Sequence, residues 1–219
     1  GEAKFEGHCL ISLAQITLEE GNFSESRQYL GRAIALHGAN GQREMQGYSL
    51  SWLGLWALES KEYQTGRVAF DEALTLLDDE DHRAVSQLIE AQYAVLLAYA
   101  GDDAQSRTIG SRLYCDFFLG GQNDSSVDTL LSERNQRVIE LCKAELDLLT
   151  AARVAQQGAA AEARELRQSA DDILDSMLSS PKRPMDLYDP SIRYFSMRLA
   201  ARRIQRLLDQ EEQNPPQRG

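Results

Sequence analysis

An all-α array of stacked helical hairpins is the fold class this sequence predicts, and three observations carry it. Turn signals stand forty residues apart: Gly21-Asn22-Phe23, Lys61-Glu62-Tyr63 and Gly101-Asp102-Asp103, each between two segments whose apolar residues recur at helical spacing. Small residues keep the same beat, with Ala14, Gly54 and Ala94 seven positions before the turn and Ser26, Gly66 and Ser106 five after it. Twelve after the turn come Ala33, Ala73 and Leu113, where the third copy drifts. The third observation is a helix over Tyr48 to Leu58 that is apolar nearly all round, as a helix sandwiched between neighbours must be. A fixed period of this size marks supersecondary units that bury their apolar faces only by stacking.

The elements follow in order. Residues 7–20 predict a first helix carrying Leu10, Leu13, Ala14 and Ile16, stopped by Gly21-Asn22, which tolerate the left-handed conformation. Ser24 is the expected N-cap of a second helix with Tyr29, Leu30, Ala33, Ile34 and Leu36, and Gly38 through Gly41 ends it. In the second unit Thr65 is the expected cap, and Val68, Ala69, Phe70, Ala73, Leu74 and Leu77 form the expected buried stripe. Asp78-Asp79-Glu80-Asp81 is a solvated stop, because adjacent like charges repel and favour a loop. The third unit has Leu88, Ile89, Tyr93, Val95, Leu96, Leu97 and Tyr99, then Ile109, Leu113, Tyr114, Phe117 and Phe118.

Gly120 through Ser126 is the clearest break, and beyond it the beat changes. Residues 127–157 predict one long helix or two in sequence, and Gln157-Gly158 is the next stop. Setting Gly158 against Gly101 places Ala151, Ala163 and Ala170 at the three small positions, so a fourth, displaced copy is expected. Ser179 through Pro190 is a proline-bounded loop, Ser191 opens a last helix, and residues 211–219 form a polar tail. The expected organisation is a single array over residues 1–219, with repeats at 7–41, 47–81 and 87–120, a divergent unit at 127–179 and a capping helix at 191–210.

Composition narrows the class. The chain has 219 residues, 42% of them hydrophobic, with 15 glycines and 5 prolines, which suits a continuous core and not a disordered chain. No apolar run reaches the roughly 18 residues of a membrane span, and no signal peptide is visible. Three scattered cysteines, Cys9, Cys115 and Cys142, form no framework and predict a reducing, cytoplasmic setting. Net charge is −11, but residues 181–206 carry seven basic and two acidic side chains. The acidic body argues against nucleic-acid binding by the array. Arg198, Arg202 and Arg206 share a helical face with Arg203 beside them, either as a solvated cap or as a dock for an acidic partner or a second copy.

These residues resemble the tetratricopeptide repeat, in which small residues sit where helices cross so that axes approach to about 8–10 Å. An aromatic after the turn (Phe23, Tyr63) and a large apolar residue before the third small one (Leu30, Phe70) agree with that pattern, which covers residues 7–119 well. The forty-residue spacing and the missing closing proline match the lengthened variant of the family. The resemblance implies a right-handed α-α superhelix with a C-terminal cap. It also implies that the first helix of each unit lines a concave groove. The groove positions it assigns are His8, Ile11, Gln15, Leu18 and Glu19; Tyr48, Ser51, Leu55, Leu58 and Glu59; and Leu88, Ala91, Val95, Ala98 and Tyr99. For the fourth copy they are Glu145, Leu148, Ala152, Ala155 and Gln156. The lysine and asparagine set that clamps a terminal carboxylate in chaperone-binding members is missing. An apolar groove rimmed by Glu19 and Glu59 is expected instead, suited to a helix or extended segment of a partner with some basic character, with packing between units as the alternative for Leu55 and Leu58.

Catalytic constellations are not found. His8, His37 and His82 are scattered, the adjacent His8-Cys9 pair does not share a helical face, and Glu19-Glu20 and Asp171-Asp172 diverge in the same way. No nucleophile, zinc or phosphate-binding motif occurs. The expectation is a non-enzymatic scaffold or adaptor for protein–protein interaction, with no cofactor and no metal. Its alternative is a ligand- or partner-sensing segment of a larger signal-responsive transcription regulator, which a first residue of Gly in place of Met fits.

Overall fold

The computed structural model describes residues 2–78, 82–119, 129–178 and 195–213. All regular structure among them is helical: α1 (Glu2–Glu19), α2 (Phe23–Ala39), α3 (Arg43–Ser60), α4 (Tyr63–Leu76), α5 (Arg83–Tyr99), α6 (Asp103–Leu119), α7 (Thr129–Gln156), α8 (Ala160–Leu178) and α9 (Phe195–Gln213). The acidic stop at 79–81, the Gly120–Ser126 break, the 179–190 loop, Ser191, the end of the tail and the Cys115 side chain lie outside the described residues. The chain divides into two compact units, residues 1–122 and 123–219.

In the first unit consecutive helices pack in pairs, α1 on α2, α3 on α4 and α5 on α6, and α2 packs on α3 as α4 does on α5. The forty-residue turn signals form one recurring structure. Gly21, Lys61 and Gly101 hold φ of +79°, +64° and +83°. The next residue then donates its backbone N–H back to the helix: Asn22 to Thr17 at 2.8 Å, Glu62 to Ala57 at 2.8 Å and Asp102 to Leu97 at 2.9 Å. This pairing satisfies a carbonyl that a helix end leaves open, and the left-handed residue makes it reachable. Lys61 meets the requirement without being glycine, at a steric cost.

Caps differ from expectation. Asn22, not Ser24, caps α2 by accepting from the Glu25 N–H at 3.4 Å. Thr65 lies inside α4 and donates to the Glu62 carboxylate at 3.3 Å. The helices start two and three residues earlier than those caps imply, because the turn residue itself opens the next helix.

The small residues are where the sequence pattern puts them: Ala14, Gly54 and Ala94 are buried, as are Ser26, Gly66 and Ser106. Ser26 Oγ donates to the Ala14 carbonyl at 2.8 Å, and Ser106 Oγ to the Ala94 carbonyl at 2.8 Å. In the middle hairpin the same two positions are glycines. A Cβ on Gly66 would stand 2.2 Å from Leu96 Cδ1, so the Leu96 side chain of α5 rests directly on the α4 backbone there. Val68 departs from the expected α4 stripe and is half exposed, and Leu13 and Ile16 of α1 are exposed as well.

In the second unit α7 is one uninterrupted helix, and both α8 and α9 pack on it. The α7–α8 turn repeats the earlier ones, with Gly158 at φ +86° and the Ala159 N–H donating to Val154 at 2.9 Å. Ala151 and Ala170 are buried and Ala163 is half-buried.

Candidate partner-binding face

The first helices of the three hairpins adjoin one another, α1 touching α3 and α3 touching α5, so residues at equal register form rows across the unit. Three rows of the expected groove are closed: Ile11, Ser51 and Ala91; Leu55 and Val95; and Leu18, Leu58 and Ala98 are all buried. Those side chains pack between helices and give no apolar floor to the chain as it stands. The physical reason is close approach: small side chains at Ser51 and Ala91 let neighbouring first helices draw together around the larger residues beside them. Two rows stay accessible. His8, Tyr48 and Leu88 form one, and Glu19, Glu59 and Tyr99 the other, with Gln15 half-buried between them. Tyr48 meets Trp52 edge-on, with ring centroids 6.4 Å apart. The open part of the face is therefore mainly aromatic and acidic, with Leu88 its one aliphatic member.

Register also fixes contacts that hold the rows in place. Arg27 reaches from α2 to Glu62 at 3.4 Å, and forty residues on Arg67 reaches Asp102 at 2.8 Å. The Arg67 guanidinium holds the Asp102 carboxyl below the usual carboxylate range, helped by the Gln105 N–H. Arg27 also stacks over Trp56 at 5.0 Å, while the Trp56 indole N–H donates to the Phe23 carbonyl at 2.7 Å. The signal for this ladder is in the sequence, since Arg27 and Arg67 are forty apart and so are Glu62 and Asp102.

Two of the three histidines, His8 and His37, meet. His37 is fully buried, its Nδ1 bonded to Gln42 Oε1 at 2.6 Å and its Nε2 without a hydrogen-bond partner. Its ring fills the space over Gly7, where a Cβ would lie 2.2 Å from Cε1. The His8 ring stands perpendicular to it at 6.3 Å, and His82 lies 3.9 Å from Glu44. Among the described residues no group of three or more His, Cys, Asp or Glu side chains is placed to hold a metal ion. Lys143, Asp147 and Ser169 form a cluster between α7 and α8 in which the ammonium donates to Ser169 Oγ at 3.0 Å and the hydroxyl donates to Asp147 at 2.7 Å. An ammonium paired with a carboxylate is a poor base for that hydroxyl.

Two residues assigned to surfaces are instead interior. Glu145, expected on the fourth copy's groove, is 0% exposed and accepts two bonds from Arg203, which is 3% exposed: Nε to Oε1 at 2.7 Å and Nη2 to Oε2 at 2.8 Å. Arg203 thus leaves the basic face of α9, where Arg202 and Arg206 are exposed and the Arg198 guanidinium lies over the Phe195 ring at 4.8 Å. Leu148 is buried too, whereas Ala152, Ala155 and Gln156 are accessible or exposed. Beside the pair, burial pushes the Cys142 thiol up to about 12, with the Glu145 charge adding to it.

A depression of about 340 Å³ on the α3–α4 seam is lined by Leu50, Leu53, Gln64, Thr65, Val68, Ala69 and Glu72, and holds none of the expected groove residues. No helix among the described residues is long and apolar enough to cross a membrane. Comparison of the chain with family models, curated proteins and solved structures finds no match.

Proposed function

We propose that this chain is a non-enzymatic interaction module of the tetratricopeptide-repeat kind, which holds a helix or extended peptide of another protein against the joined faces of α1, α3 and α5. In this reading residues 1–119 form a right-handed α-α superhelix with that face concave, and α9 caps α7. The observation that carries it is the recurrence, at forty-residue spacing on adjoining helices, of two accessible rows: His8, Tyr48, Leu88 and Glu19, Glu59, Tyr99. Repeated, evenly spaced side chains on a rigid support suit an elongated ligand, which presents its own residues at regular intervals. Two tyrosines give large contact area at small entropic cost, and two glutamates select for lysine or arginine on the partner.

Selection from a random peptide library tests this. Peptides that combine an aromatic or aliphatic anchor with basic residues are expected. Their affinity should fall about tenfold or more for the Tyr48→Ala/Glu59→Lys/Tyr99→Ala variant, with helical circular dichroism unchanged. Selected peptides that bind this variant as tightly as the parent would remove the face from consideration. Leu18 is unsuited to the test, because a charge at a buried position reports on folding.

A further inference from the structure

The forty-residue register shows what normally lies against one side of each first helix. On α3 that side carries Ser49, Leu53 and Trp56, and on α5 it carries Ile89, Tyr93 and Leu96. The second helix of the preceding hairpin lies against Trp56 on α3 and against Tyr93 and Leu96 on α5. Trp56 is held by Phe23 and Arg27 of α2. Tyr93 stacks on Phe70 of α4 with centroids 5.5 Å apart, and Leu96 lies against Gly66 of α4. The same positions on α1 are Cys9, Leu13 and Ile16, with Phe5 one turn before Cys9. There Leu13 is 42% exposed, Ile16 44% and Phe5 74%, and Cys9 is exposed. They stand on the side of α1 roughly opposite its buried residues Gly7, Ile11 and Leu18. A helix with apolar residues on opposite sides is built to be sandwiched, and α1 is covered on one side alone.

We infer that the Cys9, Leu13 and Ile16 side of α1 is a stacking surface whose occupant is the second helix of a further hairpin of this same forty-residue kind. The occupant's chemistry follows from the two established interfaces. It carries a small residue at the crossing, as Ser26 and Gly66 are. The surface is distinct from the partner face proposed above, so either assignment can fail without the other.

The test places such a hairpin on the surface and reads Cys9. Residues 1–42 are duplicated ahead of Ala3, which keeps the forty-residue register, and the added copy carries Cys9→Ser. Alkylation of the remaining Cys9 is followed by peptide mass mapping. Labelling of Cys9 is expected to slow about tenfold or more relative to the parent chain, with added helical signal and a higher melting temperature. Leu13→Glu in the inner copy should restore the parent's labelling rate, while in the parent the same substitution leaves the fold intact. Unslowed labelling overturns the inference, whether the added hairpin is folded or not, since a hairpin of this kind folds only by stacking. A parent chain that dimerises in sedimentation and protects Cys9 as its concentration rises also overturns it, by naming a second copy as the occupant.

Discussion

The ring of Phe70 occupies the space that a side chain at residue 54 would fill: a Cβ built on Gly54 would meet Phe70 Cζ, Cε1 and Cε2 at 2.5, 2.6 and 2.7 Å. Phe70 is fully buried and stacks on Tyr93, so its ring has nowhere to retreat. The first hairpin meets the same crossing with Ala14 and, at the register of Phe70, Leu30. A smaller residue on one helix is matched by a larger one on its partner, as interdigitated packing requires.

Gly54→Ala should therefore destabilise the chain by about 1–3 kcal/mol, the usual penalty of overpacking. Adding Phe70→Leu recreates the Ala14–Leu30 pair and should recover part of that loss, even though Phe70→Leu alone creates a cavity. Urea denaturation of the two single variants and the double variant reads the coupling. Strict additivity of the two losses would show that the pair does not share one volume.

Lys61 stands in the left-handed region at φ +64° where the other two hairpins of the first unit have Gly21 and Gly101. A side chain there costs about 1–2 kcal/mol, and glycine loses about 0.4–1 kcal/mol by freeing the unfolded chain. Lys61→Gly should raise stability by the difference, roughly 0.5–1 kcal/mol, and Gly101→Ala should lower it by about 1 kcal/mol. A rise in the thermal midpoint for the first and a fall for the second are the expected readings. Loss of stability in Lys61→Gly would mean that the lysine side chain supports the turn.

How much of this was legible beforehand depended on whether a feature repeats. The turns, the small crossing residues and the Arg27–Glu62 and Arg67–Asp102 ladder recur at forty residues, so the pattern displays them. Exposure of Leu13 and Ile16 was not legible, because periodicity marks a residue as apolar without saying whether a neighbour covers it. The burial of three groove rows was not legible for a related reason. Register identified Ile11, Ser51, Leu55 and Val95 as equivalent positions, but how tightly adjacent helices close over them depends on side-chain volumes around each crossing. The caps lie two and three residues before Ser24 and Thr65, which are good caps in isolation, because Asn22 and Glu62 already sit at the helix starts set by the left-handed turn.

The Glu145–Arg203 pair had no such signal, since its partners lie 58 residues apart on helices outside the forty-residue beat. Its energetics are nonetheless specific. Two charges removed from water are offset by two short bonds in fork geometry, and neither charge has solvent to fall back on if the other is lost. Arg203→Met should thus cost about 3–5 kcal/mol, because it takes both fork bonds from a buried carboxylate between α7 and α9. Glu145→Met should cost a similar amount by taking the same two bonds from the guanidinium. The Glu145→Met/Arg203→Met double variant, which leaves two apolar side chains of suitable length facing each other, should cost far less than the sum and less than either single change. Chemical denaturation of the four proteins measures the coupling directly. A double variant as unstable as the sum of the singles would mean that each residue acts through other neighbours, and that α9 is held to α7 by its apolar residues Met197, Leu199, Ala200 and Ile204 without the pair.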